Sequence, residues 1–141
     1  YTSLIPNILV SGIPETLAAS KAIIVYVLNL MTKFGQTFQY SARDHLSTLE
    51  HYIGKSIDWV LVNNGAVPKR ALDVYTKFHE VPVEDNLTDG KPYKLFRTDL
   101  VGNHIVTKSK SDALVRSLIR HDSDKLAAAL MHVLESRKWQ I

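Results

Sequence analysis

Residues 22–65 decide the fold and read AIIVYVLNLMTKFGQTFQYSARDHLSTLEHYIGKSIDWVLVNNG. The run Ala22–Leu28 is apolar and rich in β-branched residues, which is typical of a strand buried on both faces of a parallel sheet. A second such run, Ile57–Val62, ends at the turn signal Asn63-Asn64-Gly65. The stretch therefore begins and ends with a predicted parallel strand.

A helix is predicted between these two strands. Ser41-Ala42-Arg43-Asp44 fits a capping box, in which the serine oxygen accepts a free N–H and the acid reaches back. Apolar residues recur at helical spacing up to Ile53, and Gly54 is the expected C-terminal residue. Strand, helix and strand form a βαβ unit, so the sequence predicts an α/β fold with a mostly parallel sheet and helix 41–53 covering one face.

Weaker patterns flank this unit. Further helices are predicted at Pro14–Lys21, from Pro68 onward and at Ser123–Ser136. The residues expected on their inward faces are Ala71, Leu72, Tyr75 and Phe78 for the second, and Leu126, Leu130, Val133 and Leu134 for the third. Asp122 or Ser123 is expected to cap the last helix. Short strands are predicted at Val81–Val83, Lys94–Val101 and Ile105–Thr107, with a polar loop at Asp85–Lys91.

Composition excludes several classes of protein. The chain has 141 residues, 45% hydrophobic and 22% charged, which is ordinary for one globular domain. Its net charge of +3 is scattered along the chain, so no nucleic-acid arm is predicted. There is no cysteine, and no apolar run approaches the roughly 20 residues of a membrane helix. We expect a cytosolic protein that binds neither nucleic acid nor membrane.

The connection after the first strand, Asn29 to Tyr40, is the first candidate site. It is longer than the two to six residues usual for such a loop, and it carries amide, hydroxyl and ammonium groups. Open α/β sheets bind ligands outside the carboxyl ends of their strands, and the next helix begins with free N–H groups that favour phosphate. The alternative is a surface loop that only connects two elements.

Two further segments are candidates. The Asn63-Asn64-Gly65 turn follows the neighbouring strand and would line the same crevice, although a plain turn needs no function. Arg120 has the fork geometry that suits phosphate oxygens, and the alternative for Arg120-His121-Asp122 is a helix cap with surface charge. His45 is expected to be structural or exposed. No metal site is predicted, because there is no cysteine and no spaced histidine set.

No catalytic motif accompanies these candidates. The sequence has no dinucleotide fingerprint, Walker motif, H-E-x-x-H or nucleophile elbow, and no paired carboxylates suited to acid–base work. From the residues alone, the chain is a ligand-binding α/β domain whose catalytic residues are unknown.

Several blocks resemble one family in order and spacing. They are Tyr1-Thr2-Ser3-Leu4-Ile5-Pro6-Asn7 with Gly12-Ile13, Asn29-Leu30-Met31-Thr32 with Gly35 and Thr37, Tyr40-Ser41 with Asp44-His45, Val60–Asn64, and Arg120-His121-Asp122. Together they span nearly the whole chain. They resemble the gluconeogenesis-factor (YvcK-like) group, which is similar in fold to the CofD-like 2-phospho-L-lactate transferases.

This resemblance implies a Rossmann-like, three-layer α/β fold and a nucleotide-sugar ligand of the UDP-N-acetylglucosamine kind. It also implies a role in gluconeogenic growth and in bacterial cell shape. The alternatives are a transferase acting on a phosphorylated hydroxy acid, and an inactive fragment of either protein. A binding or regulatory protein is the leading interpretation, and no cofactor other than the nucleotide sugar is implied.

The chain also departs from the family pattern. Lys33 stands where Gln is usual, Gln36 where Glu is usual, and Phe38 where Asp is common. The missing acidic positions weigh against an acid–base or metal role for the loop and favour anion binding. Residues 1–141 begin abruptly at Tyr1 without a starting Met, and they lack the family's N-terminal glycine-rich loop. We therefore expect a single domain that forms the C-terminal portion of a longer protein.

The predicted ligand site combines the loop, the turn and the arginine. Its residues are Asn29, Met31, Thr32, Gly35, Thr37, Asn63, Asn64 and Arg120. The expected partners are a small nucleotide ligand and the N-terminal half of the same protein, and a homodimer is left open.

Overall fold

The computed structural model describes residues 1–90, 92–102 and 118–138. Three strands, β1 (Val25–Val27), β2 (Trp59–Asn63) and β3 (Lys94–Thr98), form one sheet in the order β1-β2-β3. Both pairings are parallel. The predicted α/β class and the parallel, adjacent placement of the first two strands are therefore confirmed.

The described residues form five helices. They are α1 (Ile5–Ile8), α2 (Ile13–Ala19), α3 (Ala42–Ile53), α4 (Lys69–Thr76) and α5 (Ser123–Lys138). At the start of α3, the Asp44 N–H donates to the Ser41 hydroxyl and the Ser41 N–H donates to the Asp44 carboxylate. Gly54 ends the same helix with φ 72°, a left-handed conformation that suits glycine. The predicted capping box and helix end are confirmed.

Helices cover both faces of the sheet. On one face, Leu46, Leu49 and Ile53 of α3 pack with Val60 and Val62 of β2. On the other face, Ala129 and Val133 of α5 pack with Leu61, and Leu126 and Leu130 contact the same cluster. The alternation along β2 sends successive side chains to opposite faces, which produces a three-layer arrangement.

Two inward positions were predicted wrongly. Leu134 of α5 is 53% exposed, and Ala129 occupies the core position instead, because residues 126, 129, 130 and 133 share one helical face. Phe78 was expected on the inward face of α4, but that helix ends at Thr76 and Phe78 is 62% exposed. The chain reverses just after it, where His79 has φ 57°.

Several strand boundaries also differ from the prediction. The first strand starts at Val25 because the Ile24 N–H donates to the Asp58 carboxylate at 2.8 Å. Residues 81–83 form no strand of the sheet, and Pro82 instead makes an isolated antiparallel bridge with Met31. The third strand ends at Thr98, and residues 105–107 lie outside the described residues.

Asp122 caps α5. Its carboxylate accepts the N–H groups of Asp124 and Lys125, both at 3.0 Å. Of the two residues expected to cap this helix, the structure therefore uses Asp122.

Candidate functional site

A half-open cleft of about 680 Å³ lies where β1 ends. Four segments surround it: residues 1–2, the end of β1 with the loop after it, the region from α4 to Glu80, and residues 118–121 with the first turn of α5. The described residues that line it are Tyr1, Thr2, Val27, Asn29, Leu30, Met31, Thr32, Lys33, Thr37, Val74, Tyr75, Phe78, Glu80, Leu118, Ile119, Arg120, His121 and Leu126. This is the edge at which open α/β sheets bind ligands.

The first part of the loop is tied to residues 81–83. The Thr32 N–H donates to the Val81 carbonyl at 2.8 Å, and the Val81 N–H donates to the Thr32 hydroxyl oxygen at 3.0 Å. The Val83 N–H donates to the Leu30 carbonyl at 3.1 Å. Thr32 is buried, and its hydroxyl oxygen stabilises the wall of the cleft by accepting this hydrogen bond from Val81.

The second part of the loop folds back on itself. The Lys33 N–H donates to the Thr37 hydroxyl, and the Thr37 N–H donates to the Lys33 carbonyl, both at 2.8 Å. Gly35 and Gln39 have φ of 74° and 60°, so two left-handed residues close the turn. Thr37 lines the cleft, whereas Gly35 shapes the turn and lies outside the cleft.

Asn29 follows β1 directly and lies on the cleft wall. Its side-chain oxygen accepts the Tyr26 hydroxyl at 3.2 Å, and Tyr26 is buried beneath it. Within the described residues its amide nitrogen donates no hydrogen bond. Asn29 is therefore held by its oxygen and can offer its N–H₂ group to a ligand acceptor.

The segment that carries Arg120 is fastened on two sides. The Gly102 N–H donates to the Arg120 carbonyl at 3.0 Å, and the Asp122 N–H donates to the Leu100 carbonyl at 2.8 Å. On the other side, the N–H groups of Leu118 and Ile119 donate to the Tyr75 hydroxyl. These bonds hold the backbone around Arg120, which lines the cleft together with the loop after β1.

His121 adds a neutral imidazole to the wall. Burial lowers its pKa, although a hydrogen bond to the Leu28 carbonyl acts in the opposite direction. Its Nε2 atom is buried and has no hydrogen-bond partner among the described residues. Because Nε2 is unpartnered, the bond to Leu28 assigns the proton to Nδ1 and leaves Nε2 as an acceptor.

Charge in the cleft is nearly balanced. The Lys33 ammonium lies 3.5 Å from a carboxylate oxygen of Glu80, a residue only 9% exposed. Lys33 and Arg120 are cationic and Glu80 is anionic, so these three lining side chains sum to one positive charge. Glu80 therefore offsets much of the positive charge of Lys33.

The turn after β2 lies outside the cleft, contrary to the prediction. The Asn63 side-chain oxygen accepts the N–H groups of Gly65 (3.1 Å) and Leu100 (2.9 Å), and its nitrogen donates to the Gly65 carbonyl (2.8 Å). Asn64 is exposed away from the cleft. A side chain at Gly65 would overlap the carboxylate of Asp99. Asn63 thus closes its own turn and holds the start of the next segment.

Sequence reasoning did not assign Tyr75 or Glu80 to the site, and it considered His121 only within Arg120-His121-Asp122. Tyr75 has the helical spacing of a core residue, so no sequence pattern indicated that its hydroxyl accepts the N–H groups of Leu118 and Ile119. Glu80 follows α4 without any motif, and only the fold brings it to Lys33. His121 stands next to Arg120 in the sequence, within the block Arg120-His121-Asp122 that resembles the family.

The described part of the chain has neither a metal-binding cluster nor a membrane-spanning helix. No cluster of three or more histidine, aspartate or glutamate side chains is close enough there to hold a metal ion. No helix there combines the length and apolarity needed to cross a bilayer.

Comparison with known proteins places these features in context. A family model described as 2-phospho-L-lactate transferase CofD matches residues 1–101. A putative gluconeogenesis factor from Thermoanaerobacterium thermosulfurigenes is 39% identical over 137 residues, covering 96% of this chain and 39% of that protein. The gluconeogenesis factor of Bacillus subtilis (strain 168) is 35% identical over 136 residues, covering 96% of this chain and 40% of that protein.

Solved crystal structures are also similar to this chain. Two crystal structures of a Bacillus halodurans protein, one described as a member of the UPF0052 family, superpose with TM-scores of 0.71 and 0.76 at 27% and 28% identity. The matched regions include 90% and 93% of this chain. They correspond to 38% and 40% of the two solved chains. The chain thus spans well under half the length of the proteins it is similar to.

Proposed function

Because this chain belongs to the CofD family, we propose that it forms part of a gluconeogenesis factor that binds a nucleotide sugar of the UDP-N-acetylglucosamine type. The proposal includes a role in gluconeogenic growth and cell shape, in the cytoplasm. The observation that carries it is the cleft at the end of β1, with Arg120 and Asn29 on its wall.

The cleft chemistry supports an anionic, hydroxyl-rich ligand. Its volume of about 680 Å³ lies within the range of small-molecule sites. Arg120 supplies a permanent cation for a diphosphate, and the Asn29 amide can donate to a sugar or base oxygen. Met31, Thr32 and Thr37 also line the cleft. Gly35, Asn63 and Asn64 lie outside the cleft, so we propose no direct ligand contact for them.

We also propose that this chain is the C-terminal portion of a longer protein. Its coverage of only 39% and 40% of two curated relatives supports its being part of a longer chain. The rest of that protein would complete the site.

The test is a calorimetric titration of the intact protein with UDP-N-acetylglucosamine. Arg120→Ala should weaken binding by about tenfold to a hundredfold, since a hydrogen bond to a charged group contributes roughly 1.5–3 kcal/mol. Arg43→Ala is the matched control, because Arg43 lies on α3 and is not among the lining residues. Asn29→Ala should weaken binding by about threefold to tenfold, and Asn64→Ala should leave it unchanged.

Two outcomes would contradict the proposal. One is the absence of saturable binding to the wild-type protein. The other is equal affinity of wild type, Arg120→Ala and Asn29→Ala with folding intact, which would place the site elsewhere. Turnover of an activated phospholactate by the same preparation would favour the transferase alternative.

A further inference from the structure

An exposed aromatic patch, made of Phe34, Phe38, Phe78 and His79, lies on two turns beside the cleft. The centroid of the Phe34 ring is 5.4 Å from that of Phe38 and 5.6 Å from that of His79. The three phenylalanines are 56%, 45% and 62% exposed in chain order. Single exposed apolar residues are common in proteins, whereas a contiguous group of them marks a contact surface.

The two turns that carry the patch are fixed to each other. The Lys33 ammonium lies 3.5 Å from the Glu80 carboxylate, and Thr32 exchanges two hydrogen bonds with Val81. His79 has φ 57°, so the second turn is tight. The rings are therefore exposed on a hydrogen-bonded framework, and their exposure does not come from a loosely packed loop.

The fold makes little use of these rings. None of the three phenylalanines belongs to the buried clusters that hold the helices on the sheet. Phe34 and Phe38 also lie outside the lining of the cleft. Turns are usually built from polar residues and glycine, so exposed phenylalanines in a turn point to a partner that covers them.

The surroundings of the patch carry a positive charge. Segments 33–39 and 69–82 contain four cationic and two anionic side chains: Lys33, Lys69, Arg70 and Lys77 against Asp73 and Glu80. Glu80 is nearly buried and pairs with Lys33, whereas Lys77 is exposed next to Phe78. Charge complementarity therefore requires a partner that is anionic as well as apolar.

Area and charge together favour a lipid surface over a protein partner. Three half-exposed phenylalanine rings present roughly 300 Å² of apolar surface. A stable protein interface needs about 800 Å² from each partner. Two copies that met through this patch would also bring like charges together. Aromatic rings flanked by cations suit an anionic bilayer, where rings enter the acyl boundary and ammonium groups meet phosphates.

We propose that the aromatic patch docks the protein on an anionic lipid surface, with Phe34 and Phe38 inserted and Lys77 at the level of the headgroups. The sequence prediction of no membrane partner rested on the lack of a spanning run, and a surface contact needs no such run. The proposal does not depend on which ligand the cleft binds. Because Lys33 and Phe78 also line the cleft, docking would hold the cleft close to the headgroups.

The first test is cosedimentation of the intact protein with vesicles made of equal parts of phosphatidylglycerol and phosphatidylcholine. Phe34→Ser and Phe38→Ser should each weaken vesicle binding by about fivefold to tenfold, since each removes a half-exposed ring from the contact. Leu134→Ser is the matched control, because Leu134 is 53% exposed but lies on α5. Thermal unfolding checks that each variant is folded.

Two further variants separate charge attraction from insertion. Lys77→Gln should weaken binding to the anionic vesicles by about fivefold, the contribution of one basic residue near such a surface. Vesicles of phosphatidylcholine alone should bind wild type and Lys77→Gln weakly and equally. Phe34→Trp should retain binding, and its additional fluorescence should shift to the blue with anionic vesicles, because the ring leaves water.

Several results would overturn the lipid contact. They are failure of the wild-type protein to bind anionic vesicles, undiminished binding of both Phe34→Ser and Phe38→Ser, and equal binding of wild type to neutral vesicles. A dimer in sedimentation velocity that Phe34→Ser abolishes would assign the patch to a second copy instead. None of these results bears on the proposed function, because titration of the same variants with UDP-N-acetylglucosamine tests that function separately.

The titration gives a last check on the assignment. Phe34 and Phe38 do not line the cleft, so Phe34→Ser and Phe38→Ser should bind the nucleotide sugar as wild type does. Loss of nucleotide-sugar affinity equal to the loss of vesicle binding would overturn a separate lipid surface.

Discussion

Two connections leave neighbouring parallel strands at the same edge of the sheet, and among the described residues the first lines the cleft at the end of β1 whereas the second does not. The loop after β1 keeps polar groups such as the Asn29 amide facing open space. The turn after β2 uses the Asn63 side chain for three hydrogen bonds to its own backbone and to Leu100. A polar side chain at a strand end is available to bind a ligand only when other groups make the hydrogen bonds that the nearby backbone N–H and C=O groups require.

The largest expected effect comes from breaking the turn after β2. Asn63→Ala removes three hydrogen bonds and leaves the N–H groups of Gly65 and Leu100 without their acceptor. We expect the free energy of unfolding to fall by about 3 kcal/mol, measured by denaturant titration. Asn64→Ala, at the exposed neighbour, should change it by less than about 0.5 kcal/mol. A variant that keeps its stability but loses ligand affinity would show that Asn63 serves the ligand after all.

The second effect tests the wall of the loop after β1. Thr32→Val replaces the buried hydroxyl that accepts the Val81 N–H with a methyl group of similar size. The lost acceptor should lower the free energy of unfolding by about 1–2 kcal/mol and weaken ligand binding, because residues 81–83 would separate from the loop. Chemical denaturation and titration measure the two changes. A stability loss without any change in affinity would mean that this tie does not shape the cleft.

A third change tests how the same loop ends. Ser41→Ala removes the hydroxyl that accepts the Asp44 N–H at the start of α3, which should cost about 1 kcal/mol. Ser47→Ala is the control, since Ser47 is exposed within α3 and caps nothing. Asp44 also matters here, because its hydrogen bonds to Ser41 lower the pKa of its carboxyl. Equal melting temperatures for the two variants would contradict a capping role.

The smallest expected effect is a dependence of stability on pH. Burial lowers the pKa of His121, so the folded chain resists a proton that the unfolded chain accepts near pH 6.5. Stability is therefore complete above that pH and falls as the pH drops toward the folded-state pKa. His121→Asn retains a donor for the Leu28 carbonyl but cannot take up the proton, so its stability should fall less between pH 7 and pH 5. Parallel curves for both proteins would contradict this assignment.

Local signals explain what could be predicted about the fold. Ala22–Leu28, the Ser41 capping box and Gly54 each act through neighbours within a few residues, so their patterns are visible in sequence. Leu134 was misplaced because its position on the α5 face depends on how the helix is rotated against the sheet. The start of β1 was misplaced because Asp58, distant in sequence, supplies the hydrogen bond for Ile24.

The candidate site likewise combines features that local sequence patterns predict with features that only tertiary packing sets. By itself the sequence determined that polar loops follow two parallel strands and that Arg120 precedes a capped helix, because strand runs and caps are short-range features. Only the tertiary structure decided that Asn63 turns inward, that Glu80 offsets Lys33 and that Tyr75 holds residues 118–119. These contacts join residues 37, 47 and 43 positions apart. Their partners are chosen by how helices and loops dock on the sheet, which no local pattern encodes.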